Sequence, residues 1–509
     1  MKIFSTHEIN EIAKLTLAES NLSEQQFIEI LGESLATEII TSMIPEHRLV
    51  MFAGPERCGA YTLAAAQQLI MQGYNPQVIL FNIGGNRLSS QCKLMLESIR
   101  SACGDDAVNE ITEMQFALPD LSTEVTAIDG IFGTERTAPL PGGYQSIVRY
   151  INDSGCRVIS IDVPSGLIVD AVDCMISRNI IHATITLAIG MPRVAFFMRE
   201  NHELLGTWKV VPVDYSPNAI KKAPWTFRML ERADIRHFLL PRDPFESKAD
   251  AGSAILFAGS YGMMGAAVLA ARSALRGGCG KVTVHSPRVG YFTMQNSVPC
   301  ALFDCDPGDV AITEIELKRD YQSVAIGPGL GTADETINAL EAFLKLANAN
   351  SRPLVLDADA LNCIAIRPDM LKHIPVMSVL TPHVGEFDRL FGRQPSSYAR
   401  LLRAMEVASE LQVIIIIKGR YSAIVRPDGK VYINPTGSPA LASAGTGDVL
   451  TGLLASFMAR GMRPEFAACA APYVHGLAGE LAAQIHGTYG VTASDVIDQI
   501  GRAIKSIIE

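Results

Sequence analysis

Two tandem α/β domains, each a parallel sheet covered by helices on both faces, are the architecture that this 509-residue sequence predicts. Three observations carry that expectation. The length exceeds what one ordinary core fills, which argues for two or three domains. With 48% hydrophobic and 19% charged residues, the composition is that of a well-buried globular chain. Short β-rich apolar runs also alternate, in two separate stretches, with amphipathic helical segments, the pattern of parallel strands joined by helical crossovers.

The first stretch predicts strands near 48–52, 77–81, 127–131, 157–161 and 183–187, with helices near 61–72 and 89–101. The second predicts strands near 253–257, 281–285, 323–326, 353–356, 376–380 and 413–417, and helices near 266–277 and 449–460. Between them, Pro217, Pro224, Pro241 and Pro244 interrupt a segment without long periodicity, the mark of a domain connection. The boundary is placed near 216–230, giving domains of 1–220 and 221–509.

A formal net charge of −10 argues against nucleic acid or an anionic membrane as partner. It leaves small anionic ligands open, because local backbone amides hold them whatever the net charge. The ten cysteines are scattered, without a CxxC pair or metal-ligand spacing, as expected of reduced thiols in the cytosol. The opening MKIFSTHEINEIAKL has no apolar signal core, and apolar runs such as 413–417 fall far short of the roughly 20 residues of a membrane span. A cytoplasmic protein is expected.

The densest chemistry lies in PTGSPALASAGTGDVLTGLLASFMARG, residues 435–461. Gly445 and Gly447 let backbone amides approach a ligand, with Thr446 between them, and the helix that follows aims its positive end at the same place. Asp448, in the first helical turn, is placed to take a proton from a hydroxyl attacking a phosphoryl group. A plain helix cap explains Asp448 equally well on local sequence. Four further strands end in AGSYGMMGAA, AIGPGLG, VLDADALN and VLTPHVGEF, and a fifth in IIIIKGRYS. Singly, Asp357 also reads as a loop-orienting residue and His383 as a structural ring. Together they place five ligand-facing loops on one rim of an open sheet, which favours a nucleotide site.

In this order and spacing, AGSYGMMGAA, QNSVP, GPGLG, LDADALN, TPHVGEF, KG and AGTGD resemble the ADP-dependent NAD(P)H-hydrate dehydratases, of the ribokinase-like carbohydrate kinase family. The resemblance covers about 260 residues, from about Asp243 onward. It implies a ribokinase-like α/β/α domain. Lys418, Gly419, Arg420, Tyr421 and Ser422, with Gly445, Thr446 and Gly447, would hold ADP or ATP with Mg²⁺. Ala266, Gly331 and His383 would line the pocket for NADH hydrate or NADPH hydrate, with Asp448 as base. Ala444 stands where the family more often has glycine.

Residues 1–215 resemble the Rossmann-like epimerase domain usually fused to that dehydratase, through IDGIFGTERTAPL (128–140), VISIDVPSGLIVDA (158–171) and HATITLAIGMPRVAFF (182–197). The resemblance implies Asp162 as acid/base and Asp129 and Ser165 as K⁺ ligands. Gly133, Thr134 and Pro139 would belong to the substrate loop. It also implies a homo-oligomer. The match breaks in the first loop, where the family's GPGNNGGDG reads GPERCGAYT (54–62). Arg57 and Cys58 replace two asparagines, and a soft thiol is a poor ligand for hard K⁺. Arg193 stands in a segment that usually carries lysine. An active dehydratase beside an impaired epimerase domain is therefore expected. The alternatives are a fully bifunctional enzyme and a small-molecule kinase of the same fold.

Overall fold

The computed structural model describes residues 1–113, 115–170, 179–239 and 241–509. They form two compact units, one of Ile3–Trp225 with Ser396–Tyr398, the other of Met1–Lys2, Thr226–Pro395 and Ala399–Glu509. The chain opens with a two-residue strand, β1 (Lys2–Ile3), which joins the sheet of the second unit.

The first unit carries a seven-stranded sheet of β2 (Arg48–Ala53), β3 (Gln77–Phe81), β4 (Asn109–Ile111), β5 (Val125–Gly130), β6 (Arg157–Ile161), β7 (Ile185–Ile189) and β8 (Thr207–Val211). Its order is β4-β3-β2-β5-β6-β7-β8 and every pairing is parallel. Along β2, Val50 and Phe52 enter one apolar cluster while Leu49, Met51 and Ala53 enter another. Burial on both faces is why RLVMFA is a nearly unbroken apolar run.

Two expectations shift here. The strand predicted at 183–187 is Ile185–Ile189 instead, because the amides of Ala183 and Thr184 bond outward to Leu204 and Val158 as an entry turn. The helix predicted from residue 61 begins at Arg57, as α1 (Arg57–Met71). Residues 57–62, two thirds of the segment read as the first loop, are thus helical. Ala60 and Thr62 carry no glycine's flexibility, and the Thr62 hydroxyl bonds back to the Cys58 carbonyl at 2.8 Å. Ala171, the last residue of the 158–171 segment, lies outside the described residues.

The second unit holds an eleven-stranded sheet. It adds β9 (Phe227–Met229), β10 (Ser253–Phe257), β11 (Lys281–Ser286), β12 (Leu302–Cys305), β13 (Ser323–Ile326), β14 (Val355–Leu356), β15 (Val379–Leu380), β16 (Ile414–Ile417), β17 (Ala423–Val425) and β18 (Val431–Ile433) to β1. The order is β1-β9-β18-β17-β16-β15-β14-β13-β10-β11-β12. From β16 to β12 the neighbours are parallel, but β16-β17 and β17-β18 are antiparallel, so the sheet is mixed rather than wholly parallel. The strands expected at 353–356 and 376–380 shrink to two residues each. The Leu354 amide is taken by the Ser378 hydroxyl, and Met377 adopts a left-handed φ of 61° that ends the extended run.

Helices α2 (Met264–Arg276), α3 (Ala358–Ile366), α4 (Val384–Phe391) and α5 (Thr446–Ala459) follow the strand ends that matter for function. Helix α5 lies against α2 so closely that a Cβ on Gly452 would come within 2.1 Å of the Ala270 carbonyl. Ala267, Ala270, Ala271 and Ala274 leave room for that contact, and Ser273 donates to the Val449 carbonyl at 2.6 Å. The packing fixes where α5 begins. Among the described residues, no helix is long and apolar enough to cross a membrane.

Candidate active site

Five adjacent parallel strands, β10, β13, β14, β15 and β16, bring their carboxyl ends to one rim of the second unit's sheet. The loops lock to one another through backbone bonds. The Gly259 amide donates to Pro328, Asp359 to Gly327 and Lys418 to Pro382. Gly327 has a φ of 136°, and a Cβ there would stand 1.8 Å from the Asp357 carbonyl, so only glycine lets these loops close. Asp359 accepts from the Gly331 amide at 2.9 Å and thereby holds the third glycine of GPGLG.

The charged centre of the rim is Asp357. It is fully buried and accepts from Lys418 Nζ at 2.8 Å and from the Thr451 hydroxyl at 2.6 Å. Burial alone would raise its carboxyl, but Lys418 beside it outweighs that and holds it below the usual carboxylate range. Lys418 in turn stays above its ordinary value despite its own burial, because Asp357 and Glu386 face it. Asp448 differs from both. Half-buried and without a direct cationic partner, it is pushed up to about 7 by burial and by the neighbouring negative Asp357. A carboxyl poised near neutrality at the positive end of a helix suits a general base.

Around Asp448 the turn is permissive by construction. Gly445 adopts φ 86° as the residue before α5, and an ideal Cβ on Gly447 would sit 3.6 Å from Lys418 Nζ. Thr446 is buried and anchors the turn by donating its hydroxyl to the carbonyls of Leu441 and Ser443. Ala444 is exposed, so its methyl crowds no buried neighbour. Gly419, Arg420, Tyr421 and Ser422 form the turn between β16 and β17, with the Arg420 guanidinium 4.8 Å over the Tyr421 ring. Gly445→Ala is expected to destabilise the fold by about 1–3 kcal/mol, because it forces a side chain into left-handed backbone. Its Cβ would also meet Leu269 at 2.5 Å. A urea melt reads the loss, and a raised KM for ADP accompanies it.

Ala266 is half-buried in the first turn of α2, beside Gly329. Gly331 lines a cavity of about 340 Å³ with Ser260, Tyr261, Val310, Ala311 and Leu330. His383 also has a local structural role. It is the N-cap of α4, its Nδ1 accepting from the amides of Gly385 and Glu386 while Glu386 accepts from the His383 amide. That reciprocal cap leaves Nε2 on the exposed side, 3.4 Å from Glu386.

In the first unit, Asp162 stands at the end of β6 with a φ of 67°. One carboxylate oxygen accepts from the Thr134 amide at 3.0 Å and hydroxyl at 2.9 Å. The other pairs with Arg193 at 3.2 Å, and both side chains are below a tenth exposed. Gly133, Thr134, Asp162, Arg193, Arg57 and Tyr61 line a cavity of about 40 Å³. Arg57 bonds to Asn10 at 2.8 Å and to Glu135 at 3.2 Å across its mouth. Pro139 is exposed and outside this lining, its carbonyl taken by Arg136.

Asp129 and Ser165 do come together, but as partners of each other. The Ser165 amide and hydroxyl donate to Asp129 at 2.8 and 2.5 Å, and Ser160 adds a third bond at 2.8 Å. Thr62 closes on Gly130, where a Cβ would collide with its hydroxyl at 1.7 Å. The Cys58 thiol, pushed well up by burial, points at the Ile161 carbonyl. Carboxylate oxygens already carrying four donors, the Ile131 amide among them, and a neutral buried thiol do not fit a K⁺ site.

Comparison with known proteins matches these two units one by one. Residues 254–502 match the family model described as NAD(P)H-hydrate dehydratase, and 24–195 the model described as YjeF-related protein N-terminus. A bifunctional NAD(P)H-hydrate repair enzyme of Thermofilum pendens is 30% identical, covering 100% of this chain and 97% of the relative. The chain belongs to the bifunctional NAD(P)H-hydrate repair enzymes. Another member of that family, from Salinibacter ruber, is 30% identical over 96% of this chain and 93% of its own length. The crystal structure of an ADP/ATP-dependent NAD(P)H-hydrate dehydratase from Bacillus subtilis is 31% identical over 55% of this chain and 98% of its own, with a TM-score of 0.48.

For a bifunctional NAD(P)H-hydrate repair enzyme, two residues at the rim, Thr451 and His475, escaped sequence reasoning. Thr451 lies one helical turn beyond Asp448 in GTGDVLTG, a spacing that could have flagged it. Glu386 was visible in TPHVGEF, though its approach to Lys418 was not. His475, buried in the helix Pro464–Gly490, faces the Thr446 backbone and Lys418, and burial pushes it down to about 4. No local signal marks it.

Proposed function

We propose that the second unit, within the limits 221–509, dehydrates the S epimer of NADH hydrate or NADPH hydrate with ADP or ATP and Mg²⁺. The observation that carries this reading is Asp448, a carboxyl poised near pH 7 at the mouth of the Gly445–Gly447 turn. Asp448 takes the proton of the ring hydroxyl as that oxygen attacks the terminal phosphorus of the nucleotide. The backbone amides at the start of α5 stabilise charge developing on the transferred phosphoryl oxygens. Lys418 stays paired with Asp357 and keeps the rim from becoming a field of unbalanced carboxylates. Phosphate then departs in place of hydroxide, and loss of the neighbouring ring proton restores the dihydronicotinamide. Mg²⁺ enters with the nucleotide phosphates, as is usual for a cation that dehydrates reluctantly.

The epimerase-type unit, within 1–220, is read as impaired. Asp162, the residue the family resemblance makes acid/base, is paired with Arg193, and the cavity beside it measures about 40 Å³. The test uses a mixture of both epimers of NADH hydrate with ADP and Mg²⁺, followed by the return of NADH absorbance. Conversion is expected to stall near the fraction of the S epimer. Rapid conversion to completion would mean that GPERCGAYT still supports epimerisation. A stable phosphorylated product without NADH would point to a small-molecule kinase instead.

A further inference from the structure

His285, next to last in β11, is buried between two carboxylates, and nothing in the reaction above uses it. Its register partner across the parallel pair is Asp304, whose Oδ2 lies 2.7 Å from Nδ1; Oδ2 of Asp306 lies 2.9 Å from Nε2. Each ring nitrogen therefore faces a carboxylate oxygen at hydrogen-bond distance, and Lys318 Nζ adds a bond to the other oxygen of Asp304 at 2.8 Å. Burial opposes ionisation of both carboxyls, but the bonds from His285, joined by Lys318 at Asp304 and by the Gly308, Glu314 and Thr313 donors at Asp306, outweigh it and hold both below their usual range.

Asp306 does more than pair. Its oxygens also accept from the amides of Gly308 at 2.7 Å, Thr313 at 3.0 Å and Glu314 at 3.1 Å, and from the Thr313 hydroxyl at 2.8 Å. It therefore folds the segment 306–314 into a closed loop around one buried charge. From that loop the Val310 carbonyl accepts from the Tyr261 amide at 2.8 Å, and the Ile312 carbonyl from Thr336 at 2.7 Å. Val310 and Ala311 are then the apolar wall of the 340 Å³ cavity that faces Gly331.

We propose that His285, clamped between Asp304 and Asp306, is a positioning residue that fixes loop 306–314 as a wall of the hydrate pocket and so sets affinity for the dinucleotide hydrate. The proposal rests on the reading above that places the hydrate beside Gly331. Hydrate contacts made by a wall are kept in the transition state, so loosening the wall raises KM and leaves the chemical step alone.

The experiment compares wild type with His285→Ala and Thr313→Val in steady-state turnover of the S epimer of NADH hydrate with ADP and Mg²⁺. Amide hydrogen exchange over 306–314 is followed in parallel. His285→Ala is expected to raise the hydrate KM about tenfold, with kcat and the KM for ADP within about twofold of wild type and faster exchange in the loop. Thr313→Val keeps the histidine and both carboxylates, so it reports even where His285→Ala fails to fold; its hydrate KM is expected to rise about threefold with the same split. Faster loop exchange with an unchanged hydrate KM would overturn the proposal, and so would a loss confined to kcat. A wild-type protein that returns no NADH overturns the reaction itself, and the loop's role with it. Variants that match an active wild type overturn the loop's role alone.

Discussion

Replacing Asp448 with asparagine is expected to lower kcat for dehydration by about 10²–10⁴-fold, the usual contribution of a positioned base. Asparagine keeps the size of the side chain, so the KM for ADP stays within a few-fold. In the wild type, kcat/KM rises with pH while the carboxyl is protonated and levels off above about 7, where it is ionised. The same group makes stability pH-dependent in the opposite sense. Its folded pKa of about 7 lies above the ordinary 3.8, so the fold favours the neutral form. That stabilisation is complete below 3.8 and is lost progressively as pH rises through about 7. Asp448→Asn, neutral throughout, is therefore expected to melt above the wild type at pH 8 and close to it at pH 4. Thermal melts at the two pH values read the difference. A variant that keeps full activity would remove Asp448 from the chemistry.

The second large effect belongs to the other unit. Asp162→Ala strands the buried Arg193 guanidinium without its carboxylate, and breaking a buried pair from one side costs about 3–5 kcal/mol. The Nε of Arg193 already lacks a partner, so little remains to compensate. Chemical denaturation should therefore show the transition of the first unit moved to lower urea. The double variant Asp162→Asn/Arg193→Met, which removes both charges, should recover most of that loss. Turnover of the S epimer per dehydratase site is expected to stay within about twofold of wild type. A tenfold fall in dehydration would show that labour is divided differently between the units.

The rim of the dehydratase unit was legible because parallel strands leave a regular trail: an apolar run, then glycines or carboxylates, then a helix. Partnerships across that rim were not. Asp357 finds Lys418 and Thr451 at sequence separations of 61 and 94, and no local pattern reports such a triad. In the first unit the departures at Arg57, Cys58 and Arg193 stood out against the family motif, yet the bond from Arg193 to Asp162 had to be seen in three dimensions. The antiparallel β17-β18 hairpin was missed although its signal was present, since AIVRPDGKVYI sets a Pro-Asp-Gly turn between two β-rich runs. At His383 the sequence carried a second signal as well, since His-x-x-Glu ahead of an apolar run is also a capping pattern, and Nδ1 makes that cap.

Strand β1 has a consequence for how the protein is made. The Met1 and Met229 backbones exchange hydrogen bonds, and β9 in turn pairs with β18 at 431–433. The leading residues thus leave the ribosome long before the strands beside which they finally lie. The sequences between them can collapse as they emerge, but the edge formed by β1, β9 and β18 is completed only after residue 433 has been made. Contacts of such range are slow to form, and until then β9 presents unpaired backbone. Nascent chains halted before residue 431 should accordingly be the species most dependent on chaperones.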